Sequence, residues 1–196
     1  MSFWENAYHA TPPWDVSHPQ KAFMELFRNN EIKTGRILDV GCGTGDNAIF
    51  LASKGFTVIG IDIAPSAIRI AKSKAIEHNV KVDFQVLNSL ELDLHFNKNE
   101  FDDIIDSGLF HTLTNKERPV FAKKIHYVLR NGGNYFMLCF SDKELDRIGP
   151  RRISKNEIIQ IFSPLFRINY IHETIFESRI HTNGAKAYIT SVTKVI

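Results

Sequence analysis

Cysteine is scarce in this chain: Cys42 and Cys139 are the only two in 196 residues. Two thiols without paired-ligand spacing make neither a disulfide framework nor a zinc site, so no metal is expected. The scarcity suits a reducing cytoplasm. No apolar run approaches the ~18 residues that a membrane helix needs. Met1 to Trp14 lacks a basic segment followed by an apolar one, so no signal peptide is expected. Charge of one sign is also lacking. The 24 Lys and Arg against 22 Asp and Glu leave +2, too little to draw the protein to nucleic acid or a membrane surface. There is no repeat or low-complexity tract. What remains is ordinary globular composition, 43% hydrophobic with 15 Phe, enough for a core without staples.

Strand-like and helix-like stretches alternate, which predicts a mostly parallel sheet covered on both faces. Residues 1 to 17 carry Phe3, Trp4, Tyr8, Pro12, Pro13 and Trp14 and read as a loop or lid with little regular structure. Helices are expected over 19–29, 46–54, 64–78, 116–129 and 154–162. The second of these stops at Gly55. The third carries Ile68, Ala71, Ala75 and Ile76 at helical spacing. The fourth ends at Asn131-Gly132-Gly133, and the last opens with a capping box, Ser154 and Glu157. Strands are expected over 36–40, 56–61, 81–87, 101–106, 134–140, 165–177 and 185–195. The final two are joined across Asn183-Gly184 as a hairpin. The fold class is therefore α/β: a Rossmann-like, doubly wound, seven-stranded sheet with a C-terminal antiparallel hairpin. Residues 1–30 form a lid and helix, and 31–196 form the main domain of a single globular unit.

The densest signal is Ile37-Leu38-Asp39-Val40-Gly41-Cys42-Gly43-Thr44-Gly45. A buried strand runs straight into alternate glycines. Without Cβ atoms, the backbone can approach a ligand closely. The following helix aims its N-terminal N–H groups at the same place. A dinucleotide fingerprint would be G-x-G-x-x-G, but Asp46 stands at its third glycine, which counts against a nicotinamide oxidoreductase. No phosphate-binding G-x-x-x-x-G-K-[ST] is present either.

With acidic Asp39 before the glycines, DVGCGTG resembles the first motif of class I S-adenosylmethionine-dependent methyltransferases. The resemblance implies that the loop cradles the methionine and ribose parts of S-adenosylmethionine, with S-adenosylhomocysteine as product. Asp39 would serve the methionine amino group. Asp62, at the end of the second strand, would accept from both ribose hydroxyls, and Ile63 would pack on the adenine. Asn88-Ser89 stands where the family usually has an Asp for the adenine amino group, and an amide oxygen can still accept. Asp106-Ser107-Gly108-Leu109-Phe110-His111 follows the fourth strand, where donor and acceptor meet in the family. No Asn/Asp-Pro-Pro-aromatic sequence is there, which argues against a nucleobase or glutamine acceptor.

Trp14-Asp15 with Pro19 is similar to the lid of thiopurine, thiol and halide methyltransferases, and Trp14 would cover the cofactor. The implied set is thus Trp14, Asp39, Gly41, Cys42, Gly43, Gly45, Asp62, Ile63, Asn88, Ser89 and Asp106 for the cofactor. His111 is the candidate general base, because an imidazole titrates near neutrality. Arg151 and Arg152 are candidates for an anionic acceptor. The expected activity is methylation of a small molecule, with a thiol or other chalcogen preferred. The rivals are a methyltransferase acting on RNA or protein and a catalytically silent cofactor binder. No nucleic-acid or membrane partner is expected, and the chain is read as a cytoplasmic monomer or homodimer.

Overall fold

The computed structural model describes residues 3–33, 35–146 and 148–195. The sheet has seven strands: β1 (Arg36–Val40), β2 (Thr57–Asp62), β3 (Asp83–Val86), β4 (Phe101–Ser107), β5 (Leu129–Phe140), β6 (Phe166–Phe176) and β7 (Ala185–Lys194). Their order is β3-β2-β1-β4-β5-β7-β6. β1 to β5 are mutually parallel where they pair. β7 runs antiparallel between β5 and β6. The expected fold class is the one observed.

Side chains alternate across each strand, so each strand feeds two cores. Leu38, Val40, Ile104, Tyr135 and Met137 face α5 (Leu92–His95), α6 (Glu117–Val128) and α7 (Lys155–Phe162). Ile37, Ile105, Phe136 and Leu138 face α2 (Lys21–Arg28), α3 (Asp46–Ser53) and α4 (Pro65–Glu77). Such strands are buried on both faces and read as near-continuous apolar runs. The chain order reverses between β1 and β4. In an open α/β sheet, that reversal opens a crevice at the carboxyl ends of the strands.

Several elements differ from expectation. The aromatic N-terminal stretch begins with a short helix, α1 (Phe3–Ala7); Met1 and Ser2 lie outside the described residues. Ile76 is 80% exposed, and α4 instead buries Ala67, Ile68, Ala71 and Ala75, with Ser66 at its start. Residues 89–95, given no element from sequence, form a 3-10 turn and α5. Asn131-Gly132-Gly133 does not end a helix. It lies inside β5, which starts at Leu129 and absorbs the extra residues as a register shift between Phe101 and Asp103. Early pairing of Leu129 with Phe101 overrides the local turn signal. The Ser154–Glu157 capping box is present as expected.

Candidate active site

A cleft of about 880 Å³ lies over the carboxyl ends of the parallel strands. Residues 41–44 form one wall. Gly45 has φ of 86°, and a Cβ there would sit 2.6 Å from the Phe84 ring, so only glycine lets the loop turn this tightly into α3. A Cβ on Gly43 would sit 2.9 Å from the Tyr8 hydroxyl. The loop's outer surface is thus kept bare beneath an aromatic cover.

Asp62 lines the cleft at the end of β2. One of its oxygens accepts from Gly43 N–H at 3.0 Å and the other from Ala64 N–H at 2.9 Å. Burial raises its pKa, while those backbone donors oppose the rise. The carboxylate therefore ties the glycine loop to the next strand, and each oxygen keeps a lone pair. Ile63 beside it is 45% exposed into the same cleft. Asn88 and Ser89 also line it. The Asn88 Oδ1 accepts from Leu90 N–H at 3.0 Å, capping the 3-10 turn and leaving its amide N–H groups available.

Asp39 is fully buried at the end of β1 and does not line the cleft. Neither carboxylate oxygen completes a hydrogen bond, although the Ala48 N–H leans on it electrostatically. Burial, with Asp106 and Asp62 nearby, pushes its pKa well above the usual carboxylate range. A buried acid without a partner calls for a cation or a bridging water.

Asp106 differs from expectation. It shares a strand face with Ile104, so it points into the core and not into the cleft. Its oxygens accept from Leu109 N–H at 2.8 Å, Phe110 N–H at 3.1 Å and the Tyr135 hydroxyl at 2.7 Å. These bonds shape the 107–111 turn. Burial nevertheless raises its pKa to about 7. Asp106 is a loop anchor, and no atom of it is offered to a ligand.

His111 lines the cleft in the turn after β4. Its Nδ1 accepts from the Phe140 backbone N–H at 3.0 Å. Burial, with Arg118 and Arg152 adding like charge, lowers its pKa to about 3. A general base at this position is not supported by the geometry: the free lone pair of the neutral ring is already taken by a main-chain donor. Arg151 lines the cleft, but its guanidinium is held by Asn115 and Glu157. Arg152 does not line the cleft. It bonds the carbonyls of Pro150, Asp146 and Ile148 and lies over the Phe140 ring, folding its own loop.

Trp14 lines the cleft and donates from Nε1 to the Tyr8 hydroxyl at 3.1 Å. Trp4 stands edge-on to it at 5.7 Å. This aromatic roof is pinned at both ends. Glu5 accepts from Ser66 N–H and Oγ–H at the start of α4, and Thr44 Oγ–H donates to Asp15. Arg179, from the β6–β7 connection, reaches the carbonyl of Asp15 and donates its backbone N–H to Pro13 O at 2.8 Å. Sequence reading singled out Trp14 but missed Trp4, Tyr8, Phe140, Phe176 and His181 as cleft residues. Only the aromatic density before residue 15 was a local signal.

Comparison with known proteins agrees with this geometry. A methyltransferase-domain family matches residues 37–133. The chain is 32% identical over 178 residues to the 2-heptyl-1-hydroxyquinolin-4(1H)-one methyltransferase of Mycobacteroides abscessus, covering 89% of this chain and 75% of that protein. It is 29% identical to probable thiol methyltransferase 2 of Arabidopsis thaliana, covering 83% and 72%. Among solved structures, a protein described in the conversion of a disulfide bond into a thioacetal group during echinomycin biosynthesis superposes with a TM-score of 0.88. That pair is 27% identical, covering 98% of this chain and 91% of the other. The fold, the glycine loop and these relatives define an enzyme that transfers methyl groups. The chain belongs to the class I S-adenosylmethionine-dependent methyltransferases.

Proposed function

We propose that this protein transfers the methyl group of S-adenosylmethionine to a small-molecule acceptor within the roofed cleft. The observation that carries the reading is the continuity of that cleft. A single space of about 880 Å³ runs from the glycine loop, past Asp62 and Asn88, to the turn at Gly108 and His111. That volume suits two modest ligands and not a folded macromolecule. The aromatic roof over it favours a small acceptor over RNA or a protein chain.

The cofactor fits the residues present. Asp39, buried and without a hydrogen-bond partner, would serve the methionine ammonium through a bridging water. The main chain of residues 41–44 borders the space for its amino-acid part. The spare lone pairs of Asp62 suit two ribose hydroxyls. Ile63 offers an apolar face for adenine, while Asn88 and Ser89 offer polar edges for it. Trp14 and Tyr8 exclude water above them. Bound there, S-adenosylmethionine supplies a methyl group on a positively charged sulfur. The protein's own work is to align the acceptor in line behind that carbon and to keep the space dry. The relatives named above, a 2-heptyl-1-hydroxyquinolin-4(1H)-one methyltransferase and a probable thiol methyltransferase, support a polarisable or acidic acceptor such as a thiol.

Titration calorimetry with S-adenosylhomocysteine, beside NAD as control, tests this. The expected result is binding of the former only. Asp62→Ala should weaken it by about 10- to 100-fold, the loss of a charge-assisted hydrogen-bond pair. Unchanged affinity in that variant sinks the site assignment.

A further inference from the structure

The far end of the cleft is an aromatic box around one imidazole. The Phe140 ring stands edge-on to His111 at 5.1 Å, and Phe176 lies tilted at 5.9 Å. A backbone N–H cannot switch from donor to acceptor. Because Phe140 N–H donates to Nδ1, that nitrogen must be the unprotonated one, and Nε2 carries the proton. Nε2 has no hydrogen-bond partner among the described residues and is not one of the sealed-off polar atoms, so it faces the cleft. It lies beside Gly108, where a Cβ would begin 3.2 Å away.

Among the described residues, no other group at this end is placed to take a proton. Glu117 accepts from Thr114 N–H at 2.7 Å, and the hydrogen bonds to Thr114 hold its carboxyl below the usual range. The His181 Nε2 is buried, 3.7 Å from an Asp146 carboxylate oxygen, and its Nδ1 is engaged with the Ser178 hydroxyl at 2.7 Å. Around His111 the charged groups are two cations, Arg118 on α6 and Arg152 after β5.

We propose that His111 is a fixed, neutral N–H donor that holds the acceptor, and that this site therefore methylates nucleophiles that arrive already ionised. The substrate class is a planar, acidic sulfur or oxygen acid: an aromatic thiolate or the anion of an N-hydroxy heteroaromatic. The inference rests on the methyl-transfer reading above and narrows its acceptor. An N–H donor to an anion in an apolar box is stronger than a neutral pair and favours the ionised form. One lone pair of the anion takes the N–H, and another attacks. The acceptor forms its bond to the methyl carbon as the carbon–sulfur bond breaks and its electron pair returns to sulfur. The anion and the sulfonium cancel, and no proton has to move.

Three measurements on the full chain test this. Binding of S-adenosylhomocysteine is measured first: if it is absent, the methyl-transfer reading fails and this inference falls with it, whereas the failures named below, with binding present, overturn this inference alone. Methyl transfer is then followed with 4-nitrothiophenol and 1-hydroxyquinolin-4-one as acidic probes, and with benzyl alcohol as a weakly acidic one. Turnover is expected for the acidic pair only, with kcat/KM rising along each acceptor's own ionisation. His111→Leu should lower kcat/KM by at least about tenfold. His111→Gln, which can accept from Phe140 and donate onward, should recover most of it, with product affinity constant in both variants. Ring-nitrogen NMR should find His111 protonated at Nε2 alone from pH 5 to 8, a readout independent of turnover. Titration of His111 in that range, a shared inflection for both acidic probes, equal turnover of benzyl alcohol, or cofactor-product binding with no turnover of either acidic probe overturns the proposal.

Discussion

At the glycine-loop end of the cleft, three consecutive strand ends present main-chain amides, one carboxylate and an amide side chain within 49 residues, Gly41 to Ser89. At the far end, the walls come from the turn after β4, the end of β5, the loop beyond it and the β6–β7 connection. The first end uses backbone geometry, which tolerates few alternatives. The second uses side chains that distant segments bring together, and their roles depend on who donates to whom. The cleft thus joins a main-chain grip at one end to a box of side chains from distant segments at the other.

The largest expected effect probes the rigid end. Gly45→Ala forces a side chain into a left-handed conformation and drives a Cβ to 2.6 Å from Phe84 and 3.0 Å from Ala71. Strain and overpacking together should cost about 3 kcal/mol of stability. Urea unfolding of the two proteins measures it. A loss below about 1 kcal/mol would mean that the loop relaxes freely, and the contrast with the far end would dissolve.

Next in size is an effect of acid at the far end. The folded pKa of His111 is lowered to about 3, against about 6.5 when unfolded. As pH falls from 7 to 5, the unfolded chain takes up a proton that the folded chain refuses. A depressed imidazole thus contributes stability above pH 6.5 that is lost on acidification. The wild type should lose about 2 kcal/mol between pH 7 and pH 5 that His111→Gln does not lose. Urea curves for both proteins at both pH values isolate that difference. Parallel losses would show that His111 is not held neutral.

Legibility followed the same division. The strand, the loop and the helix start at 37–46 are local, and each residue there obeys its own conformational rule, so the fold and the place of Asp62 at the cleft could be read directly. The β5 start could not: a glycine pair reads as a turn until Leu129 is seen pairing with Phe101. His111 was found as a residue but not as a chemistry, because its tautomer is set by Phe140, far along the chain. Arg152 was misread for the same kind of reason, since the carbonyls that absorb it belong to its own loop fold.

Asp106 is the sharpest instance, and it carries the smallest effect. A carboxylate at the end of a central strand reads as a ligand, yet strand alternation puts it with Ile104 on the helix-covered face, where Tyr135 meets it. Tyr135→Phe removes that donor and should cost about 1 kcal/mol. The sign with pH is definite. The hydroxyl lowers a carboxyl whose pKa burial has raised to about 7. Losing it raises the folded pKa further, so the variant stays protonated longer, and its deficit against wild type widens as pH climbs through 7. Affinity for S-adenosylhomocysteine should stay the same, because Asp106 offers the cleft nothing. Should affinity fall in step with stability, Asp106 belongs to the ligand-gripping end after all, and the boundary between the two halves of the cleft has to be moved past β4.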